Sequence, residues 1–296
     1  MFEKILLAAT PQAHAQAAAR AAFGLARDNG SELLLFHGLP IGTNDWCSFA
    51  EIVPDETLIQ ACQAKIRDFY AAELATIHSH SILIETGRTA DKLLKAVHRE
   101  GVDLVVMGHH TGTIECPGRM WGLVDTSIRA VCANASCPVL VVTDEKPEPS
   151  KIERILLAMD FSTPSESTLC YAATLAKAAE AHIDVFHVLD TGRNCPDPKY
   201  YMQPMDDFID QALERMKRRY AGALKGVSHA FECWEGTPYI EILKRARWSG
   251  ADLVIMAQYS SSERPSASFI GSTVIQVALS PGCPVMIVNY RPRVCL

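Results

Sequence analysis

The stretch Ile5-Leu6-Leu7-Ala8 returns later in the chain as Ile155-Leu156-Leu157-Ala158. Phe36-His37 likewise returns as Phe186-His187, and the offset, 186 minus 36, equals 155 minus 5. Two separate segments therefore keep one register, which is the sequence mark of a duplicated structural unit. The chain is predicted to contain the same unit twice.

Three further pairs of segments extend the repeat over both halves of the chain. They are Gly87 to Lys95 with Gly236 to Lys244, Asp103 to Met107 with Asp252 to Met256, and Cys137 to Val139 with Cys283 to Val285. The pairs stay collinear, and their offsets differ by only a few residues, as loops of unequal length would produce. The segment 144–150 is polar and contains Pro147 and Pro149, which is typical of a linker. We therefore predict two domains, residues 1–146 and 151–296.

Short apolar runs alternate with segments of helical period within each half. In the first half we predict strands at 4–9, 32–38, 81–85, 103–107 and 138–143, and helices at 13–28, 55–77, 89–100 and 124–134. Runs such as Leu104-Val105-Val106-Met107 suit strands that are covered on both faces. The alternation predicts an α/β fold in each domain, with a doubly wound, five-stranded parallel sheet.

The last strand of each half, Val139-Leu140-Val141-Val142 and Val285-Met286-Ile287-Val288, has no helix after it. An apolar edge strand that is left bare invites aggregation. We therefore expect the two strands to pair with each other, so that the chain forms an intramolecular pseudo-dimer.

The composition is that of an ordinary globular protein, with 48% hydrophobic and 21% charged residues. The net charge of -6 predicts neither nucleic acid nor a membrane as a direct partner. The first apolar run is too short for a secretory signal, so we expect a cytoplasmic protein. None of the ten cysteines forms a C-x-x-C pair, and Cys62, Cys132 and Cys170 lie in apolar, helix-like stretches, which favours free, mostly buried thiols.

Ligands of open α/β sheets bind beyond the carboxyl ends of the strands, where the strand order reverses. The loops expected there include Asp160-Phe161-Ser162 after the first strand of the second half and Thr10-Pro11-Gln12 in the first half. Gly271-Ser272-Thr273 precedes a predicted helix and could offer backbone N–H groups to phosphate. An ordinary helix N-cap is the alternative, and this motif alone favours it.

Several segments together resemble a universal stress protein domain. They are Ile155 to Ser162, Asp252 to Met256, Gly271-Ser272 and Cys283 to Val288, with Asp103 to Gly108 and Cys137 to Val142 in the first half. The resemblance covers nearly the whole chain, and the two fused copies resemble the tandem, E-type members of the family.

The resemblance implies a nucleotide site in the second half. Nucleotide-binding members carry glycine, two residues, glycine, nine residues, glycine and then Ser or Thr after the fourth strand. Here the second half keeps Gly271-Ser272, but Ala257 and Ser260 stand where glycines are expected, and their Cβ atoms would crowd a ligand. The expected nucleotide-binding residues are Ala158, Asp160, Val188, Met256, Ala257, Ser260, Gly271, Ser272 and Thr273.

The resemblance implies that Asp160 would bind near the adenosine end, that Val188 and Met256 would line the base pocket, and that Ser272 and Thr273 would bind phosphate. The first half departs further from the pattern, because Thr10 replaces the aspartate and Asp125 would repel phosphate. We expect no ATP in the first half. The P-loop pattern G-x-x-x-x-G-K-[ST] and the dinucleotide pattern G-x-G-x-x-G are absent.

Other candidate constellations are weaker. His78 and His80, then His109, His110 and Cys116, come nearest to a metal cluster, but exposed loop histidines are the favoured interpretation. No hydrolase signature such as Gly-x-Ser-x-Gly is present. The segments 39–60 and 190–212 carry aromatic residues and, with Met120 and Trp121, could roof an apolar cavity or simply pack as a satellite cluster. Their aromatic residues are Trp46, Phe49, Tyr200, Tyr201 and Phe208.

Two functional hypotheses remain. The first is a stress-response sensor that binds a small molecule, with at most weak binding of ATP or AMP in the second domain, Mg²⁺ accompanying ATP, and at most very slow hydrolysis. The second is a nucleotide-independent protein that binds an apolar or lipid-like ligand or acts as an interaction scaffold. Further oligomerisation is compatible with both.

Overall fold

A computed structural model describes residues 2–12, 16–39, 56–108, 124–143, 151–190, 204–259, 270–280 and 282–289. The chain divides into two compact units, Met1–Glu148 and Pro149–Leu296. None of the described helices has the length and apolar character needed to cross a bilayer.

The first unit is a parallel sheet of five strands in the order β3-β2-β1-β4-β5. Its elements are β1 (Lys4–Ala8), α1 (Gln16–Asn29), β2 (Glu32–Leu39), α2 (Glu56–Phe69), α3 (Ala71–Leu74), β3 (His80–Thr86), α4 (Thr89–Arg99), β4 (Leu104–Gly108), α5 (Val124–Asn134) and β5 (Val139–Val142). The second unit has the same order, β8-β7-β6-β9-β10, in which β6 is equivalent to β1. Its elements are β6 (Arg154–Met159), α6 (Thr163–Ala179), β7 (His182–Asp190), α7 (Met205–Tyr220), β8 (His229–Gly236), α8 (Pro238–Ser249), β9 (Leu253–Ala257), α9 (Ser272–Ala278) and β10 (Val285–Val288).

These sheets confirm the predicted fold class for each unit. The predicted helix 55–77 is interrupted, because Tyr70 leaves the helical conformation between α2 and α3. Much of the predicted loops 39–60 and 190–212 lies outside the described residues, but α2 and α7 begin within them. The pairing of β5 with β10 stays a prediction.

The repeated aspartate before the fourth strand of each unit has a structural role. Asp103 accepts a hydrogen bond from the N–H of Glu3 at 2.7 Å, and Asp252 accepts one from Glu153 at 3.0 Å. Each carboxylate therefore links the start of the fourth strand to the start of the first. It also gives a hydrogen-bond acceptor to a backbone N–H that would otherwise lack a partner. The Asp-Leu-Val motif is therefore part of the scaffold.

Right-handed crossovers place α6 and α7 on one face of the second sheet and α8 and α9 on the other. The contacts agree: Ser165 on α6 bonds the sulfur of Met159, whereas Arg245 on α8 pairs with Asp184 on β7 at 3.2 Å. Side chains on alternate strand residues therefore face different helices.

The cysteine prediction is correct for Cys62 and Cys132 and wrong for Cys170. Cys62 and Cys132 are free thiols, whereas Cys170 on α6 is bonded in a disulfide. A disulfide depends on the spatial approach of two side chains, which spacing along the sequence does not reveal.

Candidate ligand-binding crevice

The strand order of the second unit reverses between β6 and β9. The chain moves outward from β6 through β7 to β8 and then returns to β9 and β10. Connections therefore leave β6 and β9 toward opposite faces of the sheet, and a crevice opens beyond their carboxyl ends. Asp160 follows β6 at this edge, and Gln258 follows β9.

The sheet register places the expected base-pocket residues on one face. Ala158 pairs with both Phe186 and Met256, and Val188 lies two residues beyond Phe186 on β7. Because partners in neighbouring strands share a face, these side chains lie on the side of α8 and α9. Trp234 pairs with Val188 and adds an indole ring to that face. Met256 is buried, whereas Ala158 and Val188 are half-buried.

Asp160 is exposed, but its carboxylate already has partners. Its Oδ1 accepts hydrogen bonds from the N–H of Ser162 at 3.1 Å and from the Ser162 hydroxyl at 2.6 Å. The Ser162 hydroxyl also caps α6, because it accepts from the N–H of Ser165 at 3.3 Å. A ligand at this carboxylate would compete with these bonds or use Oδ2.

Phe161 follows Asp160 in the loop and is half-buried. Its backbone is left-handed, with φ 63°, which is costly for a residue with a side chain. Its ring meets His187 edge-on at 4.6 Å and stacks on Tyr220 at 5.9 Å, and the guanidinium of Arg215 lies 4.2 Å from its centre. Burial lowers the pKa of His187, so the ring stays neutral and donates its Nδ1 proton to the carbonyl of Met159 at 2.7 Å.

The other side of the crevice is the beginning of α9. Gly271 is its N-cap, and the Gly271 N–H donates to the Gln258 carbonyl at 3.0 Å, which holds the helix start beside the end of β9. The first bond of the helix runs from Ile275 N–H to Gly271 O, so the N–H groups of Ser272, Thr273 and Val274 have no partner within the helix. Ser272 is exposed and Thr273 half-buried.

A model of the Universal stress protein family matches residues 1–143 and again residues 151–289. The chain belongs to the universal stress protein family. A "Universal stress protein in QAH/OAS sulfhydrylase 3'region" from Thermus aquaticus is 32% identical over 143 residues, which cover 48% of this chain and 99% of the relative.

Solved structures of universal stress proteins share the fold over almost the whole chain. One from Archaeoglobus fulgidus DSM 4304 has a TM-score of 0.70 and 17% identity, covering 96% of both chains. A putative universal stress protein from Pseudomonas aeruginosa UCBPP-PA14 has a TM-score of 0.65 and 16% identity, covering 97% of this chain and 93% of that one. At these identities the likeness concerns the fold.

The first universal stress protein unit arranges the equivalent loop differently. Thr10 stands in place of Asp160, and its carbonyl accepts hydrogen bonds from the Tyr70 hydroxyl at 2.9 Å and from the Gln12 N–H at 2.8 Å. His37 donates to the carbonyl of Ala9 at 2.8 Å, as His187 does in the second unit. Asp125 and Thr126 belong to the first turn of α5, and their side chains lie outside the described part.

Some predicted residues of the chain cannot be placed. Ser260 lies outside the described residues, as do His109, His110, Cys116, Met120 and Trp121, and the aromatic residues predicted at 46, 49, 200 and 201. Phe208 lies half-buried on α7, and His78 and His80 are exposed. Over the described ranges, no three His, Cys, Asp or Glu side chains come together as a metal site would require.

Sequence reasoning missed Trp234, Arg215 and Tyr220. The repeat contained a signal for Tyr220, because it occupies the same register as Tyr70 at the end of the second helix of each unit. Arg215 carried no such signal, since an arginine on a polar helix is usually solvated.

Proposed function

We propose that the second unit binds an adenine nucleotide, ATP or AMP, weakly in the crevice between β6 and β9, and that the protein serves as a nucleotide-responsive sensor in the stress response. One observation carries the proposal. A carboxylate, Asp160, flanks the crevice on the side of β6, and the N–H groups that begin α9, which have no partner within the helix, flank it on the side of β9.

The two sides of the crevice suit the two ends of a nucleotide. The Asp160 carboxylate accepts hydrogen bonds and would bind the ribose hydroxyls. The N–H groups of Ser272, Thr273 and Val274, with the Ser272 hydroxyl, would bind phosphate at the positive end of the helix. Ala158, Val188 and Met256 share the face on which the base would lie.

Weak binding and little turnover are expected for physical reasons. Asp160 Oδ1 must give up bonds to Ser162 before it can bind a ligand fully, which lowers affinity. Ala257 and Ser260 add Cβ atoms where glycine would leave space. Mg²⁺ would arrive with ATP and remain on its phosphates, and hydrolysis would be very slow at most.

Thermal unfolding with and without nucleotide tests the proposal. At a ligand concentration ten times the Kd, binding stabilises the folded state by about 1.4 kcal/mol. For a domain of this size that raises the Tm by about 3 to 6 °C. Ser272→Asp places a negative charge at the phosphate end and should abolish the shift, whereas the matched variant Thr126→Asp in the first unit should keep it. An equal shift in wild type and Ser272→Asp would place the nucleotide elsewhere.

The alternative ligand, an apolar or lipid-like molecule, has one supporting feature in the first unit. A shallow, open surface on α2 is formed by Ala61, Ala64, Lys65, Asp68 and Phe69. Phe69 is 37% exposed and the nearby Leu58 is 51% exposed. A fatty acid that raises the Tm of the wild type but not of Phe69→Asp would favour this function, and nucleotide would then leave both unchanged.

A cytoplasmic location is also a proposal. The free thiols of Cys62, Cys132, Cys137, Cys233 and Cys283 suit a reducing compartment, whereas the disulfide of Cys170 suits an oxidising one. Fractionation of cells that produce the protein tests it directly.

A further inference from the structure

The two units differ at one peptide bond beside the proposed nucleotide site. In the first unit Pro11 fixes a negative φ, and the carbonyl of Thr10 accepts from both Tyr70 and Gln12. In the second unit Phe161 occupies the same position with φ 63°. One neighbouring contact is the same in both units, since His37 and His187 each donate to the carbonyl that precedes this position, that of Ala9 and of Met159.

Tyr220 bears the consequence of this difference. It is 1% exposed, and its buried hydroxyl has no hydrogen-bond partner in the part of the chain that the structure describes. Burial raises its pKa to about 12, so the hydroxyl remains a proton donor at physiological pH. A buried donor without an acceptor is unfavourable, and so is a left-handed phenylalanine.

We propose that the Asp160–Phe161 peptide is a two-state switch, and that its second state is the one that binds ligand. In that state the peptide is flipped, Phe161 has a negative φ, and the carbonyl of Asp160 accepts from Tyr220 and Ser162, as the carbonyl of Thr10 does from Tyr70 and Gln12. Both unfavourable features then disappear.

The flip also changes the hydrogen bonds that the Asp160 carboxylate accepts. In the structure its Oδ1 accepts from the Ser162 N–H at 3.1 Å. When that N–H turns to the Asp160 carbonyl, Oδ1 retains the Ser162 hydroxyl alone and can accept a hydroxyl of a ligand. A ligand with vicinal hydroxyl donors, such as a ribose, therefore selects the flipped state.

The contacts of the Phe161 ring hold the present state. Arg215 lies over one side of the ring, and His187 and Tyr220 meet it on others. Cation–π and aromatic contacts of this kind offset part of the backbone strain. These contacts reduce the free-energy difference between the two states, and a small difference is one that a weak ligand can shift.

A mutant cycle tests the switch without any ligand. Tyr220→Phe removes the unpartnered hydroxyl and should leave the Tm unchanged or raise it, whereas Tyr70→Phe breaks a formed bond and should lower it. Phe161→Pro fixes the negative φ, so Tyr220→Phe should become destabilising in that background. The proposal would be overturned if Tyr220→Phe lowered the Tm as much as Tyr70→Phe does. It would also be overturned if Tyr220→Phe changed the Tm by the same amount in the wild-type and Phe161→Pro backgrounds. If Phe161→Pro does not fold, Phe161→Val serves as the second background with the same criteria, because a β-branched side chain strongly disfavours a positive φ.

The role of the switch in ligand binding rests on the proposed function and has its own readout. With ATP as the probe, Tyr220→Phe should weaken binding by about two- to tenfold, since it removes one hydrogen bond of the competent state. Phe161→Pro should tighten binding. If ATP binds no variant, the proposed function fails while the Tm cycle still decides the switch. If ATP binds all variants equally, the coupling is wrong and the proposed function stands.

Discussion

Arg245→Ala should strongly destabilise the second unit. Arg245 is 5% exposed and donates to both oxygens of Glu232, at 2.6 and 2.7 Å. It also pairs with Asp184, which is 1% exposed, at 3.2 Å. The hydrogen bonds to Glu232 raise the pKa of Arg245 further, so the side chain is charged throughout the working range of pH. Its removal leaves a buried carboxylate with less compensation.

The magnitude follows from the remaining partners of Asp184. Arg154 stays at 3.1 Å, and His182 at 3.2 Å, so part of the compensation survives. The cost should therefore lie near the lower end for breaking a buried ion pair, about 3 kcal/mol. That corresponds to a fall in Tm of about 6 to 12 °C for a domain of this size.

The first unit supplies the matched control. The positions of Asp184, Glu232 and Arg245 are occupied there by Leu34, Leu83 and Ala96. Exchange of all three for their counterparts removes the three charges together and leaves Arg154, which is 42% exposed, to solvent. It should cost less than about 1 kcal/mol, since apolar replacements of buried ion pairs are often neutral. Arg247→Ala, an exposed change on the same helix, should stay within about 0.5 kcal/mol.

Calorimetry and urea unfolding of the full chain would measure these differences. A cost below about 1 kcal/mol for Arg245→Ala would refute the reasoning. So would a triple variant that is as unstable as the single one, because the penalty would then arise from lost packing and not from an uncompensated charge.

Two further predictions concern the second unit. Glu180 ends α6 with φ 55°, and the first unit has Gly30 at the same position. Glu180→Gly should therefore raise the free energy of unfolding by about 0.5 to 1 kcal/mol, and Gly30→Glu should lower it by a similar amount. Chemical unfolding in which the two changes do not have opposite signs would contradict this. Burial lowers the pKa of His187, so the unfolded chain binds a proton first and stability should fall as the pH drops below about 6.5. His187→Gln should flatten this part of the pH profile of the Tm, and an unchanged slope would assign it to other groups.

The strands and helices of both units were predictable because they depend on the spacing of apolar residues along the chain. The continuous apolar run at Leu104–Met107 required a strand covered on both faces, and the repeat transferred each element from one unit to the other. The boundaries moved by about one residue where they can be compared, as in β3, which spans His80–Thr86 where 81–85 was predicted. The break at Tyr70 was missed, although the repeat carries a counterpart to it, the end of α7 at Tyr220.

The sequence predicts where the candidate site lies in the fold, but it does not predict the backbone angles and hydrogen bonds of the residues there. Topology alone places Asp160 and Gly271 at one edge of the sheet. The bonds from Ser162 that occupy the Asp160 carboxylate, the left-handed Phe161 and the unpartnered Tyr220 hydroxyl depend on backbone angles and on packing across the sheet. The sequence pattern holds no signal for such angles when the residue is not glycine.

Isothermal titration of the full chain with ATP and with AMP tests the central claim, that one crevice of the two retains a nucleotide site. We predict a single site per chain, weakened by Asp160→Asn, lost in Ser272→Asp and kept in Thr126→Asp. Two equivalent sites per chain, no binding at millimolar nucleotide, or binding that neither Asp160→Asn nor Ser272→Asp alters would contradict it.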